Sequence, residues 1–270
     1  MKLSDVINEK WLDAQSFADQ YQNASPYPHI VLTDFIKEDI LKKVLLEFPD
    51  LSKLKDSVIE FNDDKNAKFA GKGMQVLSPS ALKLNTYLQS DLMMGWLNDL
   101  TRIERPLISD PYLNGGGYHE IKTGGFLKVH SDFNKHYQLD LDRRLNLLIY
   151  LNEDWQDEWG GALQLFDQDI KPHQTIYPRF NTAVIFSTTS YTYHGHPDPL
   201  TCPEDRSRKS LAYYYFSTGR PEEEVISHNH STIFKERKGE RFKKQLNVKS
   251  IIINITPPIF IKAAKRILGK

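Results

Sequence analysis

Hydrophobic and polar positions alternate in two different rhythms along the 270 residues. Up to about residue 105 the apolar positions recur mainly at helical spacing. In DFIKEDILKKVLLEFPD they are Phe35, Ile36, Ile40, Leu41, Val44, Leu45 and Phe48, a one-sided stripe that predicts a helix closed by Pro49. SPSALKLNTYLQSDLMMGWLNDL predicts a second helix, capped by Ser78 or Ser80. Between them FNDDKNAKFAGKGMQVLS, Phe61 to Ser78, is polar and carries Gly71 and Gly73, so it reads as a connector or as a loop over a cavity mouth.

From Tyr118 onward the rhythm shortens. RRLNLLIYLNEDW (Arg143 to Trp155), GGALQLFD (Gly160 to Asp167), NTAVIFS (Asn181 to Ser187) and RSRKSLAYYYFS (Arg206 to Ser217) are short apolar or alternating runs separated by Asp, Asn, Gly and Pro. That pattern predicts an all-β barrel or sandwich. The expected organisation is mainly β with flanking helices: a helix-rich support region over 1–105, a β core over 106–220 and a C-terminal extension over 221–270.

Candidate chemistry sits inside the β region. In GGFLKVHSDFN, His130 and Asp132 are two residues apart at the end of a strand-like run, and strand side chains at i and i+2 project from one face. Downstream, YTYHGHPDPL offers His194 and His196, again at i and i+2, so periodicity alone leaves both open as a third ligand. Two histidines and one carboxylate with free coordination positions form the facial triad of non-haem Fe(II) oxygenases. The other histidines, His29, His119, His136, His173, His228 and His230, have no ligand-type spacing and read as surface or satisfied core.

The stretch from Tyr118 to Ser217 resembles the catalytic core of the Fe(II)/2-oxoglutarate-dependent dioxygenases, in particular their prolyl-hydroxylase-like branch. The resemblance rests on the H-S-D pair, the IYLNEDW strand and turn with Gly160-Gly161 after it, the His194-Gly195 pair, and the strand beginning at Arg208. It implies a double-stranded β-helix, or jelly roll, with iron in its open end. By the same resemblance His130, Asp132 and His194 are the iron ligands, His194 being followed by a small residue and a bend toward Pro197. Arg208 is then the partner of the distal carboxylate of 2-oxoglutarate, with Arg206 as its competitor. A guanidinium suits that task because it stays charged and grips a carboxylate with two parallel bonds. Alternation puts Arg208, Ser210, Ala212 and Tyr214 on one face, bringing Tyr214 near the metal. Tyr150 is implied as a second donor to the carboxylate, and Tyr118 as a further pocket residue.

The implied cofactors are Fe(II), 2-oxoglutarate and O2, with ascorbate as an accessory reductant. The implied reaction releases succinate and CO2 and hydroxylates an unactivated C–H. Asp132 favours hydroxylation, since related halogenases carry a small residue where the carboxylate would stand. Proline or a prolyl residue is the acceptor class of the most similar branch; a small metabolite or a cell-surface glycan precursor is the alternative, and a non-catalytic jelly-roll binding module is a third reading.

Lys plus Arg and Asp plus Glu number 35 each, which gives no reason to expect a nucleic-acid binder. The single cysteine, Cys202, excludes an internal disulfide framework, and with a charged N-terminus and no span-length apolar run the expectation is a cytoplasmic protein, free or at the inner membrane face. At the other end Thr256 can cap a helix from Pro257 whose stripe of Phe260, Ala264, Ile267 and Leu268 opposes Lys262, Lys265 and Arg266. Such a basic amphipathic helix over 257–270 would either dock on protein or make peripheral contact with anionic membrane. If it binds membrane, the full chain sediments with anionic liposomes at low salt and is released at high salt, whereas a chain ending at residue 256 does not sediment. Equal behaviour of the two chains on anionic and neutral vesicles rules the contact out.

Overall fold

The computed structural model describes residues 2–54, 56–225 and 229–243. Four helices are present among them: α1 (Ala18–Gln22), α2 (Glu38–Leu46), α3 (Pro79–Leu88) and α4 (Asp91–Thr101). The strands are β1 (His29–Thr33), β2 (Val58–Asn62), β3 (Asn66–Gly71), β4 (Ile108–Ser109), β5 (Gly117–Lys122), β6 (Phe126–Ser131), β7 (Asp142–Tyr150), β8 (Leu163–Phe166), β9 (Pro172–Ile176), β10 (Thr182–Ser187), β11 (Tyr193–His196), β12 (Ser207–Ser217) and β13 (Ile233–Phe234). The described residues up to 239 make one unit, and 240–243 fall outside it. The expected helix over 257–270 lies outside the described residues, as does His228. No helix of the described residues is long and apolar enough to cross a membrane.

All thirteen strands join one antiparallel sheet that curls on itself; ten follow the order β1-β10-β7-β12-β5-β3-β6-β11-β8-β9, and β2, β4 and β13 pair with β3, β12 and β6 off this path. The two halves of this sheet face each other as a jelly roll, with a mainly β core and helices on one outer face. Strand pleating then assigns every side chain a side. On β7, Leu145, Leu147 and Ile149 point outward into the large core, where Leu41, Val44, Leu84, Leu88, Trp96 and Leu97 of α2, α3 and α4 cover them. Asn146 and Leu148 point inward to the cavity, and Tyr150 packs inside on Leu163, Leu165, Val184 and Phe186. On β12 the division repeats: Leu211, Tyr213 and Tyr215 join the helical layer, while Arg208, Ser210 and Tyr214 line the cavity. Because both faces are covered, these strands read as nearly continuous apolar runs.

The helical spacing of the N-terminal third is real, but that third also contributes sheet. The single helix expected after Ser78 is two. Ser78 accepts a hydrogen bond from the Ala81 amide and Pro79 opens α3; the chain then breaks at Gln89, and Ser90 caps α4 by accepting from Met93. Ser80 is no cap; its hydroxyl donates to Glu47. More consequentially, the polar stretch read as a connector holds β3, which pairs with β2 along one edge and, along the other, with β6 at Asn66 and Ala67 and then with β5 at Phe69 and Ala70, and so ties the two halves together. Its alternation was obscured because Lys68 occupies an inward position.

Leu147 is fully buried at the junction of sheet and helices. Leu147→Ala removes packing that the rigid sheet cannot refill, so unfolding in urea should show a loss of about 2–5 kcal/mol. A loss below ~1 kcal/mol would mean that the helical layer is not part of the same cooperative core.

Candidate active site

His130 ends β6 and His194 lies on β11, and the two residues are direct partners across the antiparallel ladder. Their ring centroids are 4.4 Å apart. Each ring donates its Nδ1–H to a carbonyl two residues upstream, His130 to Lys128 at 2.8 Å and His194 to Thr192 at 3.2 Å. That fixes the tautomer, leaving both Nε2 lone pairs pointed into the barrel. Asp132 completes the group, its oxygens 3.5 Å from His130 Nε2 and 3.4 Å from His194 Nε2. One ligating atom from each of the three lies within 4.8 Å of the others, a separation one metal ion can bridge.

The carboxylate is held from behind. Arg143 Nη2 donates to Asp132 Oδ2 at 3.0 Å and Asn146 Nδ2 donates to the same oxygen at 2.7 Å, while Asn146 Oδ1 accepts from Arg143 Nε and Nη2 at 3.1 and 2.6 Å. The guanidinium lies between the rings of Tyr214 and Phe133, 3.6 and 4.2 Å from their centroids, where cation–π attraction keeps it in place. Burial alone would push the Asp132 carboxyl upward. Arg143, with His194 and His130, outweighs it and holds the group well below the usual carboxylate range. Burial, with His130 beside it, lowers His194 to about 3. An ionised carboxylate and a neutral imidazole are the forms that bind metal.

His194 and His196 are separated in function by a register shift on β11, opposite Leu127. Gly195 permits the close approach of β6 at this shift: a Cβ there would meet the Leu127 carbonyl oxygen at 2.8 Å. His194 joins the triad, whereas His196 lies toward Arg208, and neither of its ring nitrogens has a hydrogen-bond partner among the described residues. Burial, then Arg208, keeps its ring well below the normal histidine range. Arg208 itself is 5% exposed and among the described residues meets only neutral acceptors, donating Nε–H to the Gly161 carbonyl at 2.7 Å and Nη2–H to the Tyr150 hydroxyl at 3.1 Å. A Cβ on Gly161 would come within 3.0 Å of the Arg208 side chain, so this glycine gives the guanidinium its place. Arg206 points elsewhere, donating to the Glu153 carbonyl over the Trp159 ring.

The cavity therefore brings together His130, Asp132, His194, Arg208 and Tyr214, with Tyr150 bonded to Arg208 at its rim. It does not bring in Tyr118. That residue faces the helical layer, its ring 4.3 Å from Phe48 and its hydroxyl 2.9 Å from Ser78, because β5 turns His119 and Ile121 inward instead. His119, expected as surface or satisfied core, lines the cavity, donates to the Gly115 carbonyl at 2.9 Å, and is lowered to about 3 by burial with Lys68 adding to it. Sequence reasoning also passed over Arg143, Asn146 and Lys68. Inward alternation on β7 was a usable signal for Asn146; nothing local pointed to Lys68.

Residues 116–216 match the family model described as the 2OG-Fe(II) oxygenase superfamily. Prolyl 3-hydroxylase OGFOD1 of Mus musculus is 29% identical over 79 residues, a match covering 27% of this chain and only 14% of that protein's length. Among solved structures, a Pseudomonas putida prolyl-4-hydroxylase superposes with a TM-score of 0.55 at 17% identity, over 76% of this chain and all of its own. A Trichoplax adhaerens prolyl hydroxylase, solved with a peptide fragment of the hypoxia inducible factor oxygen degradation domain, gives 0.55 at 15% identity, over 77% and 91%. Fold and family model point the same way: residues 116–216, which hold the His130–Asp132–His194 group, match the 2OG-Fe(II) oxygenase model. Their architecture is that of the prolyl hydroxylases.

Alanine at His130, Asp132 or His194 should each abolish tight binding of Mn(II) as an Fe(II) substitute, read by electron paramagnetic resonance, with the circular dichroism spectrum preserved. His196→Ala should keep the metal. Retention by His194→Ala and loss by His196→Ala would exchange their roles.

Proposed function

We propose that the protein is an Fe(II)/2-oxoglutarate-dependent hydroxylase acting on proline or a prolyl residue. The observation that carries the cosubstrate assignment is Arg208, a buried guanidinium with no carboxylate partner among the described residues, lining the same cavity as the His130–Asp132–His194 group. A buried cation without a counter-charge is costly unless a ligand supplies one. The distal carboxylate of 2-oxoglutarate answers that need, with the Tyr150 hydroxyl and the orphaned ring nitrogens of His196 as further partners.

His130, Asp132 and His194 would hold the iron, and Fe(II) with 2-oxoglutarate and O2 would supply oxidative decarboxylation, with release of succinate and CO2, coupled to C–H hydroxylation. The chain's own part is placement. Arg143 and Asn146 keep the Asp132 carboxylate ionised and oriented, and the apolar walls Leu148, Leu163 and Ile121 exclude water from the reacting end. Ascorbate would serve to keep the iron reduced, and a reducing cytoplasm suits both a ferrous centre and the lone buried thiol of Cys202. The prolyl assignment follows the neighbours' class; a small metabolite is the second reading, with the same residues in the same roles.

The test is a screen of free proline, N-acylprolines and proline-containing peptides for addition of one oxygen atom by mass spectrometry, alongside succinate release. No oxidised proline compound, with robust succinate release on another acceptor, would move the assignment to that acceptor. Arg208→Ala should raise the 2-oxoglutarate requirement about 10- to 100-fold, as expected for losing a charge-assisted bidentate partner. Unchanged affinity in this variant would overturn Arg208 as the anchor.

A further inference from the structure

A second cavity of about 250 Å³ adjoins the first and shares Lys68, Leu127, His130, Asp132 and Tyr214 with it. The metal-ligating group thus stands at the partition between them. The outer cavity is mostly apolar, walled by Ile59, Phe61, Phe133 and Phe234, and Lys68 projects into both spaces from the middle of β3. Pleating dictates this: Asn66, Lys68 and Ala70 line the cavity while Phe69 packs against the helical core. Lys68 is half-buried, its ammonium lies 5.3 Å from the Phe61 ring centroid, and among the described residues it forms no hydrogen bond and no ion pair.

A charge count over both cavities gives Lys68 a task. Arg143, Arg208 and Lys68 are the cationic side chains lining them, and Asp132 is the one carboxylate. A divalent iron and a doubly charged 2-oxoglutarate cancel each other and Arg143 is committed to Asp132, so the lining stays net positive through Arg208 and Lys68. Arg208 would face the distal carboxylate of the cosubstrate, which leaves Lys68 as the cation with no anion against it, beside the apolar pocket in which an acceptor would sit.

We propose that the acceptor carries a carboxylate that pairs with Lys68 while its apolar part lies against Phe61, Ile59 and Phe234. The inference rests on the Fe(II)/2-oxoglutarate reading of the site and narrows its acceptor class. Desolvation, with Arg208 and Arg143 adding to it, holds the Lys68 ammonium down to about 8, and Asp132 opposes them; a bound anion would relieve this cost. A carboxylate fits better than a phosphate, because a single lysine offers one point charge, and the other cation of the outer cavity is already tied to Asp132.

The test uses full-length protein loaded with Zn(II) and 2-oxoglutarate, which binds without turnover, and two matched pairs of probes titrated by calorimetry. These are N-acetyl-L-proline against N-acetyl-L-prolinamide, and cyclopentanecarboxylate against cyclopentanecarboxamide. In the wild type each carboxylate should bind about 10-fold more tightly than its amide. Lys68→Gln should erase that preference and Lys68→Arg should retain most of it, with 2-oxoglutarate affinity changed less than about twofold in both. If neither carboxylate outbinds its amide in the wild type, or if Lys68→Gln weakens 2-oxoglutarate itself, the proposal is overturned. A Lys68-dependent preference in the cyclopentane pair, with no proline compound hydroxylated, would uphold the lysine assignment and remove the prolyl one.

Discussion

The contact between Arg143 and Asp132 is the constraint around which the site is organised. A carboxylate this deep in a barrel would be neutralised by desolvation if left alone. One guanidinium, itself fixed by Asn146 and by the faces of Tyr214 and Phe133, keeps it ionised and aimed. The two histidines then have a fixed third partner, and their own orientation comes from backbone carbonyls rather than from side chains that could move. Removing Arg143 would disturb charge, direction and packing together, since the same side chain holds Tyr214 and Phe133 in their places.

The barrel makes this arrangement possible because its strands are covered on both sides. Helices α2 to α4 bury the outward residues of β7 and β12, so the inward ones, Asn146, Leu148, Arg208 and Ser210, are held on a stiff frame. A site built on strands can keep ligating atoms within a few tenths of an ångström, which a loop cannot do as well. The same frame concentrates cations in a poorly hydrated space, where they are incomplete without anionic ligands. Arg208 and Lys68 are the two such cations without a carboxylate against them among the described residues.

The helical stripes, the change to strand rhythm near Tyr118, and the H-x-D pair were legible in the sequence because each depends on local periodicity. Alternation placed Arg208 and Tyr214 on one face of β12 with no knowledge of what lay opposite, and the arrangement found is the same. Tyr118 shows the limit of that reasoning. Being on a core strand does not say which side of the pleat a residue takes, and β5 sends Tyr118 to the helices and His119 to the cavity.

By itself the sequence determined a mainly β barrel or sandwich with flanking helices and a His-x-Asp pair able to face one metal, and its resemblance to a known family added the jelly roll and the role of Arg208 as expectations. Only the tertiary structure decided between His194 and His196 as the member of the triad, because a register shift at Gly195 separates two residues that periodicity makes equivalent. It also turned a polar connector into the strand that joins the two halves of the sheet and carries Lys68 to the reacting centre. Such pairings are made between segments distant in the chain, across β3, β5 and β6, and no local pattern of apolar and polar residues encodes the partner of an edge.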